Sequence, residues 1–588
     1  MARRFHASRI ASLGVAGALV LALSSCGSVA TTDTGEGSDE PACIPGEAKA
    51  CACADGRSGA QVCLETGKAF APCECTGEAG DEDASADDNP GDEPQDPGDA
   101  GASDASTTNP DDAGSTGDAG NTSDAGNTSD ASVPTEGALA AGVVIDDVVA
   151  YQAVAVPLVR GRAVVTNRNA PIVIGKDMLL RVFVEPAAGF QAREVVGKLT
   201  LHQTSGPVAT YEVKRVVTTA SSEGALNSTF NFEIPGSLVA ADTSFKVEIR
   251  EVDERTYAGD AVQAVWPLSG TTKLDAQSSN GNLKLTIVPY RYNGRVPDTS
   301  EAHLKVFRDM FATYPVPGVD ITVHPVVDHS GTFSANGNGW SQLLEKTCRM
   351  RLNEGAARNN YYFGIIVPTA SAYQFCSNGC VAGLAPLASA NDNSSRCGIG
   401  LGFTDQNMAA ETAIHEIGHA MGREHAPCGL GNQRADGSYP YSGASLGVWG
   451  WDAPKKALRS PSNYKDMMSY CSPIWISDYT YRAIFSRISY VNASPLFKTP
   501  EGFPSTWRSI VIEADGSVVM GGTAELDSMP SGTPTIVELL DANGQKTGEV
   551  TGYRYETDHL PGGWVFVPEK DLAGAKAVRL EGKAPVAL

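Results

Sequence analysis

Three histidines lie close together in one short segment of the sequence, His415, His419 and His425. The first two are four residues apart, so on a helix they project from the same face, one turn apart. Two imidazoles at this separation can bind one tetrahedral zinc ion. Gly422 can adopt a positive φ that ends the helix and turns the chain back, which makes His425 a third ligand. Three neutral imidazoles leave one metal position open, and the adjacent Glu416 can reach a water there, as in catalytic zinc sites.

This segment resembles the zinc site of the metzincin metallopeptidases, whose pattern is H-E-x-x-H-x-x-G-x-x-H. That family also has a methionine-containing turn beneath the metal. A similar turn lies downstream here, with Met468 in the methionine position and Tyr470 in the tyrosine position of some branches. The resemblance implies one catalytic Zn²⁺, a non-ligating floor at Met468, and a swinging ligand at Tyr470 that stabilises the transition state.

The chain departs from the known metzincin branches at two places. Ala426 follows the third histidine, where those branches have Glu, Pro, Asp or Ser, and the turn begins with Asp466-Met467 instead of Ser-x. We therefore assign the chain to none of them. The β-rich flanks and the cysteine beside the turn are similar to secreted bacterial metzincins that cleave glycoproteins, including mucins. The resemblance covers about residues 280–490.

The resemblance implies a zinc-dependent endopeptidase that hydrolyses peptide bonds of extracellular proteins, with protein or glycoprotein substrates. A zinc-activated water would attack the scissile carbonyl while Glu416 takes its proton and returns it to the leaving amine. Tyr470 would donate to the oxyanion. Two alternatives stay open: a catalytically inactive surface adhesion or binding protein with a metalloprotease-like domain, and another zinc hydrolase that acts on cell-wall peptides. The intact Glu416 argues against the first, and the methionine turn argues against the second.

An edge strand pairs with extended substrate in metzincins, and residues 380–387, ahead of the histidine helix, are the candidate here. Gly383-Leu384-Ala385 is the centre of that segment. His324 and His329 are interpreted as ordinary strand-end or loop residues. His559 is interpreted as a residue of the C-terminal β region without an identifiable partner.

The thirteen cysteines indicate an exported protein. Six lie between residues 43 and 75, a stretch too short to bury a sufficient core, which predicts a disulfide-stapled module. Its pairing stays open among fifteen possibilities, with a metal knuckle as the rival interpretation. Six more lie between residues 348 and 471. Of these, Cys428 and Cys471 flank the loop between the third histidine and the methionine turn, and we expect a disulfide between them.

The N-terminus has the pattern of an export signal. Arg3, Arg4 and Arg9 precede an apolar run over residues 10–23, which is short for a membrane-spanning helix. The run ends in Leu-Ser-Ser-Cys, which resembles the bacterial lipobox, so Cys26 is the expected lipidation site; an ordinary signal peptide with a chance cysteine is the alternative. We expect an exported lipoprotein, anchored through its N-terminal lipid at the outer membrane or cell surface or released from it.

The formal charge of −24 is concentrated in one segment. Residues 76–137 hold seventeen acidic residues and no Lys or Arg, with almost no large side chain, which predicts a disordered, self-repelling linker. Calcium binding by this linker lacks support, because its repeats have no bulky apolar position for a core. The remainder is only mildly acidic and offers no basic face, which excludes nucleic acid as the default partner. The sequence does not indicate an oligomeric state.

Strand-like and helix-like patterns alternate along the rest of the chain. They predict a multidomain fold in which a metzincin-like α+β catalytic domain is flanked by antiparallel β-sandwich-like domains, preceded by the disulfide-rich module and the acidic linker. Both β regions are interpreted as spacers, packing supports or ligand-binding modules. The expected segments are a lipoprotein signal peptide (1–25), a tether (26–42), the Cys-rich module (43–75), the linker (76–137), a β-sandwich domain (138–275), the zinc protease domain (276–500) and a C-terminal β domain (501–588).

Overall fold

The computed structural model describes residues 137–253, 255–387, 389–431, 433–493 and 502–588, together with 48–52, 58–62, 64 and 69–70. The expected signal peptide, the expected lipidation site at Cys26, the expected tether (26–42), the disulfide pairing of the Cys-rich module and the acidic linker up to residue 136 lie outside the described residues. Within the Cys-rich module, strands β1 (Ala48–Ala52) and β2 (Ser58–Val62) pair antiparallel. No helix in the described part of the chain combines the length and the apolar character needed to cross a membrane.

Two antiparallel sheets follow the linker. Phe245, Val247 and Ile249 are buried on one face, as their alternation predicts. One sheet has the order β11-β10-β7-β8 with β12 paired to β10, and the other contains β4-β3-β6-β9 with β5 paired to β4. The strands are β3 (Val143–Gln152), β4 (Val154–Arg160), β5 (Ala163–Val164), β6 (Met178–Pro186), β7 (Arg193–Gln203), β8 (Gly206–Val217), β9 (Phe230–Ile234), β10 (Ser244–Glu251), β11 (Val265–Trp266) and β12 (Thr272–Lys273).

The central region is a mixed sheet with packed helices. Its strand order is β14-β13-β16-β18-β17, with β15 also paired to β13; the pairs are parallel except that β17 runs antiparallel to β18 at the edge. The elements are β13 (Leu283–Arg291), α1 (Glu301–Phe311), β14 (Val319–Val323), β15 (Val327–Asp328), α2 (Trp340–Asn353), β16 (Asn360–Ile366), α3 (Ala372–Phe375), β17 (Gly383–Leu384), β18 (Cys397–Leu401), α4 (Met408–Ala420), β19 (Gly450–Asp452), β20 (Ala457–Arg459), β21 (Lys465–Asp466), β22 (Ile474–Trp475) and α5 (Asp478–Ala493).

The N-terminal and central regions share structure. Strands β19 and β20 join the N-terminal sheet beside β4, where Gly450 pairs with Val154. The indole nitrogen of Trp475 also donates to the carbonyl of Ala153 at 2.8 Å. A single hydrophobic core runs through both regions and includes the buried face of α4. The N-terminal sheets therefore support the helix that carries the first two histidines.

The C-terminal region is one antiparallel sheet of order β24-β23-β27-β26-β25-β28-β29. Trp507 and Trp564 from this sheet share a buried core with Trp340 and Leu343 of α2, so the sheet packs directly on the central region. Its strands are β23 (Ser505–Ile512), β24 (Val518–Leu526), β25 (Thr533–Leu540), β26 (Lys546–Glu556), β27 (Gly563–Pro568), β28 (Ala577–Leu580) and β29 (Val586–Ala587). The described chain is thus multidomain and mostly β-structure, with few helices.

Candidate metal centre

The end of α4 sets the direction of the chain between the second and third histidines. Gly422 has a φ of 81°, and its amide donates to the carbonyl of His419 while the amide of Arg423 donates to that of Gly418. These two bonds form a Schellman motif, which satisfies carbonyls that the helix leaves without partners. Because the helix stops there, the chain reverses and His425 comes back to the face that carries the other two histidines.

The three histidines converge through their Nε2 atoms. Nε2 of His419 lies 3.0 Å from Nε2 of His415 and 3.2 Å from Nε2 of His425. All three side chains are buried. Nδ1 of His415 bonds to the carbonyl of Met467 at 2.7 Å, and Nδ1 of His419 bonds to the carbonyl of Arg423. The backbone thereby fixes the orientation of two of the rings.

The methionine turn lies directly beneath α4. Met468 is buried, and its sulfur packs against Gly418, where an added Cβ would lie only 2.5 Å from Sδ. The carbonyl of Met468 accepts a hydrogen bond from Ala426 at 2.9 Å. Asp466 shapes the turn, since its carboxylate accepts from the amides of Met468 and Ser477 at 2.8 and 2.9 Å. Asp466 is therefore a polar support of this turn.

Tyr470 stands at the rim of the histidine cluster. Its ring centroid lies 4.9 Å from that of His425, and its hydroxyl donates to Oε1 of Gln433 at 2.6 Å. The structure pairs Cys428 with Cys471, and the amide of Tyr470 donates to the carbonyl of Cys428 at 3.0 Å. The disulfide therefore holds the tyrosine beside the third histidine. Two other disulfides are described, Cys348–Cys397 and Cys376–Cys380.

The side chain of Glu416 extends from α4 towards the edge strand β17. It is buried, with Oε2 lacking a hydrogen-bond partner. The absence of a side chain on Gly383 makes room for it, since a Cβ there would lie 2.3 Å from Oε1. The structure thus brings the candidate base and the candidate substrate-binding segment, Gly383-Leu384-Ala385, together at one sheet edge.

The interpretation of His559 as lacking a partner is wrong. Nε2 of His559 lies 3.0 Å from Oε1 of Glu416, and its Nδ1 contacts the hydroxyl of Tyr470. The preceding Asp558 is also buried at the site, with Oδ2 at 2.9 Å from Nε2 of His419. The C-terminal β region is therefore not a spacer here, because one of its turns enters the cluster. No spacing rule links these residues to the histidine motif, and the adjacent Asp-His pair was the only signal in the sequence.

The other two histidines interpreted as ordinary lie outside the cluster. His324 contacts Oε1 of Glu354 at 2.9 Å, and His329 packs against Tyr292 and Phe333.

Burial and neighbouring charges set the protonation states at the site. Burial and the adjacent imidazoles lower the pKa of His425 to about 3 and that of His415 well below its usual range, so both rings are neutral at neutral pH. Burial, with the Asp558 carboxylate, raises the pKa of Glu416 to about 7. Burial alone would lower the pKa of His559, but the carboxylates of Asp558 and Glu416 outweigh it and raise that pKa to about 10.

The donor set fits a divalent metal ion. Backbone carbonyls contact Nδ1 of His415 and Nδ1 of His419, so Nε2 of each ring faces the cluster as a potential ligand atom. One ligand atom from each of five residues lies within 4.8 Å of all the others: His415, His419, His425, Asp558 and His559.

A cavity of about 550 Å³ adjoins the cluster. Its lining includes Val381 and Gly383 of the edge segment together with Thr412, His415 and Met467. The cavity therefore opens beside Glu416 and the edge strand, where it can accept a side chain of a bound polypeptide.

Residues 360–473 match the family model described as Peptidase M66. This match covers less than half of the chain, and it supports a metallopeptidase for this part. The matched range contains the three histidines, Glu416 and the methionine turn.

Among curated proteins, dictomallein of Burkholderia pseudomallei (strain 1710b) is 25% identical over 289 residues, which is 43% of this chain and 36% of that protein. Dictomallein of Burkholderia mallei (strain SAVP1) is 24% identical over the same shares of both chains. The chain thus spans about a third of the length of these relatives. Among solved structures, the crystal structure of metalloproteinase-II from Bacteroides fragilis has 17% identity and covers 28% of this chain and 48% of its own. Its TM-score of 0.19 is too low to support a shared fold.

Proposed function

We propose that this chain is a zinc-dependent endopeptidase of the metzincin type that cleaves extracellular proteins or glycoproteins. The observation that carries the proposal is the convergence of three imidazole Nε2 atoms beside a buried glutamate, above a methionine turn. Nitrogen donors from His415, His419 and His425 are the ligand type and number of catalytic zinc sites. The metallopeptidase match over the same residues supports this assignment.

When bound, zinc would supply a Lewis acid that polarises a peptide carbonyl and acidifies water. The residues of this chain do the remaining work. Glu416 accepts the proton of the attacking water and delivers it to the leaving amine. Tyr470, at the rim of the cluster, donates from its hydroxyl to the carbonyl oxygen as negative charge develops. Met468 packs under α4 and keeps the helix in register with the turn.

Substrate would bind as an extended segment along β17. Antiparallel pairing to Gly383-Leu384-Ala385 directs a scissile bond across the face of Glu416, since that carboxylate lies against the backbone of Gly383. One substrate side chain would enter the adjoining cavity of about 550 Å³. That volume admits a large side chain, so we expect a preference for bulky residues on that side of the cleaved bond.

The proposed setting is outside the cytoplasm. Three disulfides among the described residues are typical of exported proteins. We propose that Cys26 is lipidated and anchors the chain through the acidic linker. Incorporation of labelled fatty acid into the wild type, but not into a Cys26→Ser variant, is the expected result. Labelling of both forms would contradict it.

The function is tested with Glu416→Gln, which removes the base and keeps the size of the side chain. We expect unchanged bound zinc and a fall in peptide cleavage of about 10²- to 10⁴-fold. Glu556→Gln is the matched control, because it is the same change on an exposed side chain of β26 outside the cluster. Cleavage that persists in Glu416→Gln would exclude the proposed mechanism.

A further inference from the structure

The turn between β26 and β27 lies on the edge strand proposed to bind substrate. Thr557 forms an antiparallel bridge with Pro386, and the amide of Asp558 donates to the carbonyl of Ala385 at 3.3 Å. Within the turn, the hydroxyl of Thr557 donates to the carbonyl of Leu560 at 2.9 Å. The chain's own residues 557–560 thus use the backbone groups that an extended peptide would use.

The two oxygens of Asp558 have different surroundings. Oδ1 accepts a hydrogen bond from the amide of Ala385 at 3.1 Å, which fixes the plane of the carboxylate. Oδ2 is buried and lies 2.9 Å from Nε2 of His419 and 2.7 Å from Nε2 of His559. A buried carboxylate oxygen that lies within the histidine cluster, with its partner oxygen fixed by a backbone amide, is the arrangement of a metal ligand held by an outer hydrogen bond.

His559 contacts the other two side chains proposed to act in catalysis, Glu416 and Tyr470. Its Nε2 lies 3.0 Å from Oε1 of Glu416, and its ring stacks on that of His415 with centroids 5.3 Å apart. Its other nitrogen contacts the hydroxyl of Tyr470. The side chain of His559 therefore lies between the proposed base and the proposed oxyanion donor, where the scissile group of a substrate has to be.

We propose that Asp558 is a fourth protein ligand of the metal and that the Thr557–Leu560 turn holds the protease in a latent form. The turn occupies the backbone groups of the edge segment. Its Asp558 takes the position that water would have on the metal, and its His559 lies between Glu416 and Tyr470. An extended substrate cannot reach the metal along the edge segment until the turn moves away. This inference rests on the proposed endopeptidase function.

The turn can move without unfolding the C-terminal sheet, because it is a short connection between two strands. Strands β26 and β27 pair through Tyr553–Phe566 to Glu556–Gly563 and hold its two ends. An extended substrate competes with the turn for the backbone groups of Ala385 and Pro386, so substrate can bind there only as the turn leaves.

The ligand role is tested by metal retention in the full-length chain. Asp558→Asn removes the charge of the ligand and keeps its shape, and Glu556→Gln makes the same charge change two residues earlier on an exposed side chain. We expect a chelator to remove zinc from Asp558→Asn at least about tenfold faster than from the wild type or the control. The visible absorption spectrum of the cobalt-loaded protein will also change in Asp558→Asn alone. Equal zinc loss and identical cobalt spectra would overturn the fourth ligand.

Latency is tested by cleavage of a mixture of quenched fluorescent peptides. We expect Asp558→Asn and His559→Asn each to cleave about tenfold faster than the wild type, because each weakens the closed state. His559→Asn keeps the Asp558 carboxylate, so it still reports if Asp558→Asn folds poorly. Cleavage at or below the wild-type rate in both variants would overturn latency and place Asp558 and His559 in the catalytic machinery.

Failure of the proposed function gives a different pattern. Glu416→Gln combined with Asp558→Asn separates the two, since it must abolish any activity that the turn variant gains. A gain that survives Glu416→Gln counts against the endopeptidase mechanism. The Asp558→Asn variant can also lose zinc faster than the wild type without any gain in cleavage. That result counts against latency.

Discussion

Oε1 of Glu416 lies 3.0 Å from Nε2 of His559, although 143 positions separate the two residues in the chain. The first belongs to the helix that carries the histidine motif, and the second belongs to a turn of the C-terminal sheet. This contact makes the C-terminal sheet part of the candidate metal site, so substitutions in either region act on the same cleft.

Metal removal will lower the thermal stability of the chain. The Nε2 atoms of His415 and His419 lie 3.0 Å apart in a buried site, where one cation could bind both. An ion bound at about 100 times its dissociation constant contributes about 2.7 kcal/mol to folding. We expect a chelator to lower the melting temperature and Zn²⁺ to restore it, whereas Mg²⁺, which prefers oxygen ligands, will not. A melting temperature that does not change when the chelator is added would contradict the proposed metal site.

Gly383→Ala will lower cleavage and leave zinc in place. The new Cβ would lie 2.3 Å from Oε1 of Glu416 and 2.5 Å from Cγ2 of Thr412, so the carboxylate has to move. A displacement on the order of 1 Å costs about 10²-fold in rate. Gly437→Ala is the control, because nothing lies within 4 Å of its Cβ. The comparison uses the Asp558→Asn background, and equal kcat/KM in the two glycine variants would show that the close approach is unimportant.

Replacement of both Cys428 and Cys471 by Ala will destabilise the chain more than loss of the Cys376–Cys380 pair. The first disulfide closes a sequence separation of 43 and the second a separation of 4. Closing the longer loop is worth about 4 kcal/mol in the unfolded chain, with engineered cases delivering less. Denaturant unfolding of both double variants measures the difference. A larger loss from the short-range pair would refute the entropic account.

Lys176→Met will weaken the junction between the N-terminal sheets and α1. The buried ammonium donates to the carbonyls of Ala312 and Tyr314 at 2.6 and 3.0 Å, just after the helix ends. Leaving buried carbonyls without a donor costs about 1–3 kcal/mol each. The exposed Lys284→Met serves as the control. Equal free energies of unfolding for the two variants would show that water replaces the ammonium at no cost.

Acid will destabilise the chain through His329. Burial, with the nearby Lys346 charge, lowers the pKa of His329 to about 4, below its usual value of 6.5. Between these values the unfolded chain binds a proton that the native chain does not, so stability falls as the pH drops from 6.5 towards 4. Because the ring is partly exposed, the loss at pH 5 is about 1 kcal/mol. His329→Phe will show a smaller drop in melting temperature between pH 7 and pH 5, and an identical drop would exclude this source.

The sequence predicts the local half of the site well. His415 and His419 lie one turn apart on α4, and Gly422 ends the helix at a positive φ, because helix periodicity and glycine conformation depend only on neighbouring residues. The methionine turn is further away, and only its resemblance to a family motif pointed to it. Whether these residues act as assigned stays a prediction.

The remaining half depends on tertiary packing that no local pattern encodes. Asp558 and His559 reach the cluster because Trp507 and Trp564 bury the C-terminal sheet against α2. The same limit applies to β19, which pairs with β4 nearly 300 residues earlier in the chain although its own sequence looks like a loop. Contacts between surfaces of separate sheets follow from shape and burial, and spacing in the sequence does not reveal them.

The shared core of α2 and the C-terminal sheet means that the Thr557–Leu560 turn stays beside the cleft even when it has moved out of it. A group tethered in this way competes at an effective concentration of about a millimolar. Dilute proteins displace it poorly, whereas closely spaced cleavable segments on a crowded surface displace it well. The proposed latent protease would then respond to the local density of its substrate.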